Sequence, residues 1–254
     1  MDELAVLWRD EHLIAVYKPA GMLVHRTGLD AFETRFVVQT LRGQLGGRHV
    51  WPLHRLDKGT CGVLLLALDA DTARRMGAAF TAHAVAKRYL ALVRGWAPEA
   101  VIVDHPLRPD DVPPDAPAQP ALTRFRRLAC LEWPESSDPR HPTTRVSLIE
   151  VMPETGRRHQ IRRHLKHLAH PIIGDATHGK GPLNRWWAER LGVQRLWLHA
   201  WGLAFAHPLS GERVVVDSGL RLRGARVEVD DGGAPDLADW RGVTERGEWA
   251  LVAP

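Results

Sequence analysis

Six apolar residues run without interruption from Val63 to Leu68, Val-Leu-Leu-Leu-Ala-Leu, between Gly62 and Asp69. A short run with no position turned to water predicts a strand buried on both faces. Leu4 to Tyr17 predicts two short strands about the polar turn Arg9-Asp10-Glu11, ended by Pro19 and Gly21. Leu29 to Leu45 sets Phe36, Val37, Leu41 and Leu45 at helical spacing and stops at Gly46-Gly47. After Leu68, Asp69 or Asp71 can cap a helix to about His83, with Met76, Ala79 and Phe80 as its apolar stripe. Tyr89 to Val93, Leu122 to Leu131 and Val146 to Val151 predict strands, with loops over Asp110 to Pro120 and Pro134 to Pro142. Arg158 to Ala169 predicts a helix entered from Thr155-Gly156, with Ile161, Leu165 and Leu168 on one side and Arg162 and Arg163 flanking them.

At 254 residues the chain can bury a large core as one domain or two joined lobes. Its 44% hydrophobic and 25% charged content excludes disorder over the whole length, and no apolar run approaches a membrane span. Met1-Asp2-Glu3-Leu4 lacks the basic start and apolar stretch of a secretory signal, so a cytoplasmic protein is expected. The two cysteines, Cys61 and Cys130, have no disulfide-like or metal-like spacing. A net charge of +4 is mild, but five cations lie between Arg157 and Lys166, while acids gather near Asp110 to Asp115 and Asp230 to Asp239. That separation makes a cationic face able to concentrate a polyanion. His159, His164, His167 and His170 lack acidic or thiol co-ligands and sit among cations, so no metal site is expected. Core or interface packing is the default reading for most of the ten tryptophans.

The charged stretch that opens into the apolar run is His54-Arg55-Leu56-Asp57-Lys58-Gly59-Thr60-Cys61-Gly62. A carboxylate at Asp57, on a short loop against a buried strand, is fixed by a rigid element as a reacting group must be. A turn-capping Asp57 paired with Arg55 explains the same residues, and the pattern alone leaves both open. Tyr89 is likewise open between a half-buried strand residue and an active-site ring.

The stretch resembles the catalytic motif of the pseudouridine synthases of the ribosomal large subunit synthase A type: His-Arg-Leu-Asp, two variable residues, then Thr-Ser-Gly. Cys61 stands where the family usually has Ser, and Gly59 follows Lys58 where Pro or Asp is more usual. Neither change removes a reacting group. Cys61 reads as a packing replacement, with no base or cation adjacent in sequence to make a reactive thiol. Lys18 to His25, Lys87-Arg88-Tyr89, Gly156 to Leu165, His170 to Asp175, Leu198-His199-Ala200 and His207-Pro208 follow in the family's order, over residues 4 to 219.

The resemblance implies an α+β fold with a mixed, mainly antiparallel sheet, flanking helices and an active site in a central cleft. Residues 1–219 would form the catalytic domain, with no separate N-terminal RNA-binding domain. Residues 220–254 would be an extension of unknown role, entered through a flexible linker at Asp230 to Pro235. The implied activity is isomerisation of uridine to pseudouridine in RNA on a flipped-out nucleotide, by a monomer without cofactor or metal. Asp57 falls on the catalytic aspartate, Arg162 on the arginine that pairs with it and Tyr89 on the active-site tyrosine. Arg55, His54, Thr60 and Ile161 are expected at the substrate, Arg55 as the wedge that fills the vacated stack and Ile161 against the base. Arg157, Arg158, Arg163 and Lys166 are expected to contact phosphates.

The segments Gln119 to Thr123 and Arg140 to Arg145 look most like the branch associated with uridine 65 of tRNA, with ribosomal RNA as the alternative target. Two readings come from other classes: a silent RNA-binding protein on the same fold, and a nucleoside-bond hydrolase that releases uracil. Joint retention of Arg55, Asp57, Tyr89 and Arg162 counts against the silent protein.

Overall fold

The computed structural model describes residues 3–26, 33–109, 113, 115–223, 226–229, 234–245 and 250–252. The chain begins with β1 (Val6–Arg9), β2 (Leu13–Lys18), α1 (Val37–Gln44), β3 (Trp51–Pro52), β4 (Cys61–Ala67) and α2 (Ala70–Thr81). There follow β5 (Ala86–Arg94), β6 (Ala100–Asp104), β7 (Leu122–Trp133), β8 (Thr144–Pro153), α3 (Gln160–His167) and α4 (Gly181–Leu191). Last come β9 (Leu198–Ala206), β10 (Arg213–Asp217), β11 (Leu220–Arg223), β12 (Arg226–Val229), α5 (Pro235–Glu245) and β13 (Ala250–Val252). The class is α+β with mainly antiparallel strands, as expected. Among the described residues no helix is long and apolar enough to cross a membrane.

The chain divides into two compact units. The first takes Met1–Lys87, His199–Leu220 and Asp230–Leu237. Its strands run β1-β2-β4-β9-β10, with β3 also on β4. The apolar run is β4, all seven of its residues are buried, and Val63, Leu65 and Ala67 on one of its faces pack with Met76 of α2. β2 pairs along it from Lys18↔Gly62 to Leu13↔Ala67. β9 meets it in parallel only at Cys61↔His199 and Gly62↔Ala200, and β3 only at Leu66 and Ala67. Leu13, Val63, Leu65, Met76 and Phe205 centre the core, where each buried large apolar side chain contributes about 1.5–3 kcal/mol.

α2 lays its predicted stripe on that core. Its N-cap is Asp69, which accepts the Thr72 N–H at 2.8 Å and lies 2.9 Å from the His12 ring. The Thr72 N–H first, and His12 after it, pull the Asp69 pKa down to about 2. α1 starts later than the pattern predicts: Val37 and Val38 N–H donate to Leu23 and Val24 carbonyls, which holds Phe36 in an extended bridge instead of a helical turn. Residues 27–32 of the predicted helix lie outside the described residues.

The second unit takes Arg88–Leu198, Arg221–Val229 and Ala238–Pro254. Its strands run β5-β8-β7-β13, with β6 also on β7. Every residue of β5 from Tyr89 to Val93 is buried, so neither face of this strand is turned to water. Several segments carry structure that the apolar pattern did not announce, α4, α5 and β13 among them. α4 buries Trp187 and Leu191, and Trp187 meets Trp133 and Trp186 edge to face at 5.8 and 4.8 Å. α5 buries Trp240 and Val243, with Trp240 5.2 Å from Trp197 and Asp239 paired to Arg195 at 2.7 Å. β13 pairs with β7 from Ala250↔Glu132 to Val252↔Cys130. Of the linker expected at Asp230 to Pro235, residues 230–233 lie outside the described residues, and Pro235 opens α5.

Candidate active-site residues

In the first unit a histidine peels the chain off β4 to form the Asp57 loop. The register of β3 on β4 puts Leu53 next opposite Leu65, and the Leu53 N–H duly donates to the Leu65 carbonyl at 3.1 Å. The Leu65 N–H instead donates to Nε2 of His54 at 3.1 Å. The ring thus takes over a ladder bond and frees the backbone after Leu53. It stacks on Phe80 at 5.2 Å. Accepting at Nε2 puts the proton on Nδ1. Burial, with Lys87 second, lowers the His54 pKa to about 3, so the ring stays neutral.

Beyond it Arg55 is exposed, Leu56 buried and Asp57 half-buried. The Thr60 N–H donates to the Asp57 carbonyl at 3.0 Å and closes the turn, with Thr60 buried. Lys18 braces the loop from outside. Its fully buried ammonium donates to the carbonyls of Pro19, Met22 and Lys58 at 2.9, 2.6 and 3.1 Å. At the loop's far end Gly62 has φ +113°, and a Cβ there would lie 2.1 Å from the Ala200 carbonyl oxygen. Only glycine lets β9 approach β4 so closely.

In the second unit the predicted residues gather about α3. The helix begins at Gln160, two residues later than predicted, because His159 adopts a left-handed conformation at φ 54°. Gln160 organises that entry. Its Oε1 accepts the Arg157 N–H and the Thr155 hydroxyl, and its Nε2 donates to the Leu122 carbonyl and Thr123 Oγ1. Arg162 is buried and makes a two-pronged ion pair with buried Asp175, Nε to Oδ2 at 2.8 Å and Nη2 to Oδ1 at 2.7 Å. Oδ1 also accepts the N–H groups of Thr177 and His178. Burial pushes the Asp175 carboxyl up, but the Arg162 and backbone hydrogen bonds outweigh it and hold the carboxyl below its ordinary range. Asp175 follows Gly174, where φ is +77° and a Cβ would fall 1.7 Å from the Arg195 carbonyl oxygen. Asp175 ends the motif that begins at His170, and its hold on Arg162 has no signature in the sequence.

Ile161 is buried on α3, and Tyr89 is buried on β5 opposite Val151. Arg157 Nε donates to the Pro120 carbonyl and Arg163 Nη1 to the Arg108 carbonyl, whereas Arg158 and Lys166 are exposed. The histidines have separate local tasks: His164 lies 2.9 Å from Thr123 Oγ1 and 3.0 Å from the His105 carbonyl, and His170 lies 2.8 Å from the Arg94 carbonyl. Among the described residues no group of three His, Cys, Asp or Glu side chains could hold a metal ion.

The family model for RNA pseudouridylate synthase matches residues 12–167, a span that holds the Asp57 loop, Tyr89 and Arg162. The chain belongs to the RNA pseudouridylate synthase family. As an RNA pseudouridylate synthase it is an isomerase acting on RNA. A relative from Vibrio cholerae named tRNA pseudouridine synthase C is 48% identical over 224 residues, which cover 85% of this chain and 91% of that one. A relative of the same name from Vibrio vulnificus is 43% identical over 253 residues, 97% of this chain and 96% of that one. Among solved structures, Human RNA Pseudouridylate Synthase Domain Containing 1 superposes with a TM-score of 0.68 at 25% identity, covering 98% of this pseudouridylate synthase and 89% of that chain.

Proposed function

We propose that the enzyme isomerises uridine 65 of tRNA to pseudouridine, with Asp57 as the catalytic carboxylate. The observation that carries this reading is a half-buried Asp57 on a loop braced by His54, Thr60 and Lys18, inside the segment that the family model matches. The tRNA target rests on the name shared by the two Vibrio relatives, and position 65 on the resemblance of the segments at Gln119 and Arg140.

The reaction breaks the bond from ribose C1′ to uracil N1 and joins C5 to C1′. The proton on C5 is lost and N1 gains one, so no redox partner or external group enters. Asp57 acts either as a nucleophile on the uracil or at the sugar, and both roles need it ionised. Flipping the nucleotide costs a few kcal/mol, offset in part by the exposed Arg55 filling the gap. Tyr89 and Ile161 serve the uracil, and Arg162, oriented by Asp175, serves the carboxylate chemistry. His54 and Thr60 hold the loop in shape for substrate. Arg158 and Lys166, both exposed, are the first candidates for phosphate contact; the half-buried Arg157 and Arg163 are the second.

Mapping pseudouridine in bulk tRNA and ribosomal RNA from cells with and without the gene tests the reading. Loss at uridine 65 of tRNA supports it, whereas loss only from ribosomal RNA assigns a different substrate. Release of free uracil by the purified enzyme would mean hydrolysis instead.

A further inference from the structure

Cys61 has no base beside it in the sequence, yet the fold gives it one. Its Sγ lies 3.2 Å from Nδ1 of His199, and Nε2 of His199 lies 2.7 Å from Oγ of Ser218. All three side chains are buried, at 0%, 0% and 1% exposure, and the Tyr17 ring tilts against the imidazole at 5.9 Å. Backbone pairing between β4 and β9 is confined to Cys61↔His199 and Gly62↔Ala200. The side-chain chain therefore runs across the one place where these strands meet, directly behind the loop that Thr60 closes onto Asp57.

A neutral imidazole has one N–H and one acceptor nitrogen, so hydrogen bonds must run through it in one sense. Either the Ser218 hydroxyl donates to Nε2 and Nδ1–H donates to sulfur, or the thiol donates to Nδ1 and Nε2–H donates to Ser218. In both cases the imidazole is held at both nitrogens, and truncating the thiol or the hydroxyl removes one of these buried hydrogen bonds. A buried hydrogen-bonded network of this kind favours one geometry for what it carries. What it carries here is the residue next to Thr60.

We propose that Cys61, His199 and Ser218 act together as positioning residues for Asp57, fixing the rigid end of the catalytic loop through a buried hydrogen-bonded chain. This rests on the reading of Asp57 given above. The burial of the thiol suits a geometric part and gives it no access to substrate.

The test compares Cys61→Ala, Cys61→Ser and Ser218→Ala with the parent enzyme, measuring kcat and KM for pseudouridine formation in tRNA together with thermal unfolding. Ser and Ala differ at this site by one hydroxyl, so their comparison isolates the hydrogen bond from packing. The expected result is a fall of roughly tenfold in kcat for Cys61→Ala at unchanged KM, with Cys61→Ser restoring activity to within about threefold of the parent; tenfold is about 1.4 kcal/mol of transition-state stabilisation. Ser218→Ala should fall between them. The proposal is overturned if Cys61→Ala retains the parent kcat, if Cys61→Ser falls as far as Cys61→Ala, or if the loss lies in KM. An Asp57→Asn variant assayed alongside separates the two readings. Full activity in Asp57→Asn removes the reading of Asp57 itself, whereas an inactive Asp57→Asn beside an unaffected Cys61→Ala removes only the positioning chain.

Discussion

Replacing Asp175 by Ala removes a carboxylate that meets a buried guanidinium with two hydrogen bonds and accepts two backbone N–H groups besides. Both side chains are nearly inaccessible, Arg162 at 9% and Asp175 at 0%. Attraction between them is therefore little screened, and so is the cost of taking one away. Truncating one partner of a buried pair costs about 3–5 kcal/mol. With a urea dependence of about 3 kcal/mol per M, the unfolding midpoint should fall by about 1 to 2 M. The assay is equilibrium urea unfolding of Asp175→Ala, Asp175→Asn and the apolar double replacement Arg162→Met with Asp175→Leu. The double variant should recover much of the loss, because a packed apolar pair often replaces an ion pair at little cost. The pH dependence adds a second reading. The folded carboxyl titrates below the unfolded value of about 3.9. Its contribution is therefore complete above that pH and is lost as pH falls through the lowered value. Asp175→Asn should flatten that part of the acid limb. A loss of less than about 1 kcal/mol in Asp175→Ala, or a double variant less stable than both singles, would refute the account of Arg162 as a guanidinium held by Asp175.

Three further outcomes are expected. His54→Phe orphans the Leu65 N–H and should cost about 1–3 kcal/mol at pH 8. Because the folded ring stays neutral down to about pH 3 while the unfolded one protonates near 6.5, the parent should lose up to about 1.4 kcal/mol per pH unit below 6.5 on this account, and the variant should lack that slope in pH-dependent urea melts. Gly62→Ala sets a Cβ 2.1 Å from the Ala200 carbonyl at a φ that side chains avoid, and thermal melts should show about 3 kcal/mol or more of lost stability, or no folded protein. Arg158→Ala and Lys166→Ala should each weaken tRNA binding in filter assays and lower the salt slope of the association constant by about one, while leaving kcat at saturating tRNA unchanged.

The elements legible in the sequence are those whose own residues decide them. β4 is apolar at every position because both of its side-chain faces are buried, and α2 starts where Asp69 can take the Thr72 N–H. What escaped the reading depends on distant partners. His159 enters α3 in a left-handed conformation, beside a Gln160 side chain bonded to Leu122 and Thr123, so spacing placed the helix start two residues early. Leu237, Trp240 and Val243 of α5 stand at helical spacing, but the Gly- and Asp-rich stretch before them masked the signal. The motifs singled out Asp57 and Arg162 as candidates. The parts of His54, Lys18 and Asp175 were hidden because each acts on a backbone or side chain that only folding brings near. The same holds for Cys61, whose imidazole neighbour is 138 residues away in the chain.

The most direct test of Asp57 is single-turnover pseudouridine formation in tRNA by Asp57→Asn, which keeps the size of the side chain and removes its charge. The account predicts a rate at least about a hundredfold below the parent, with tRNA affinity and urea stability unchanged. A rate within twofold of the parent, from a variant equally well folded, would contradict it.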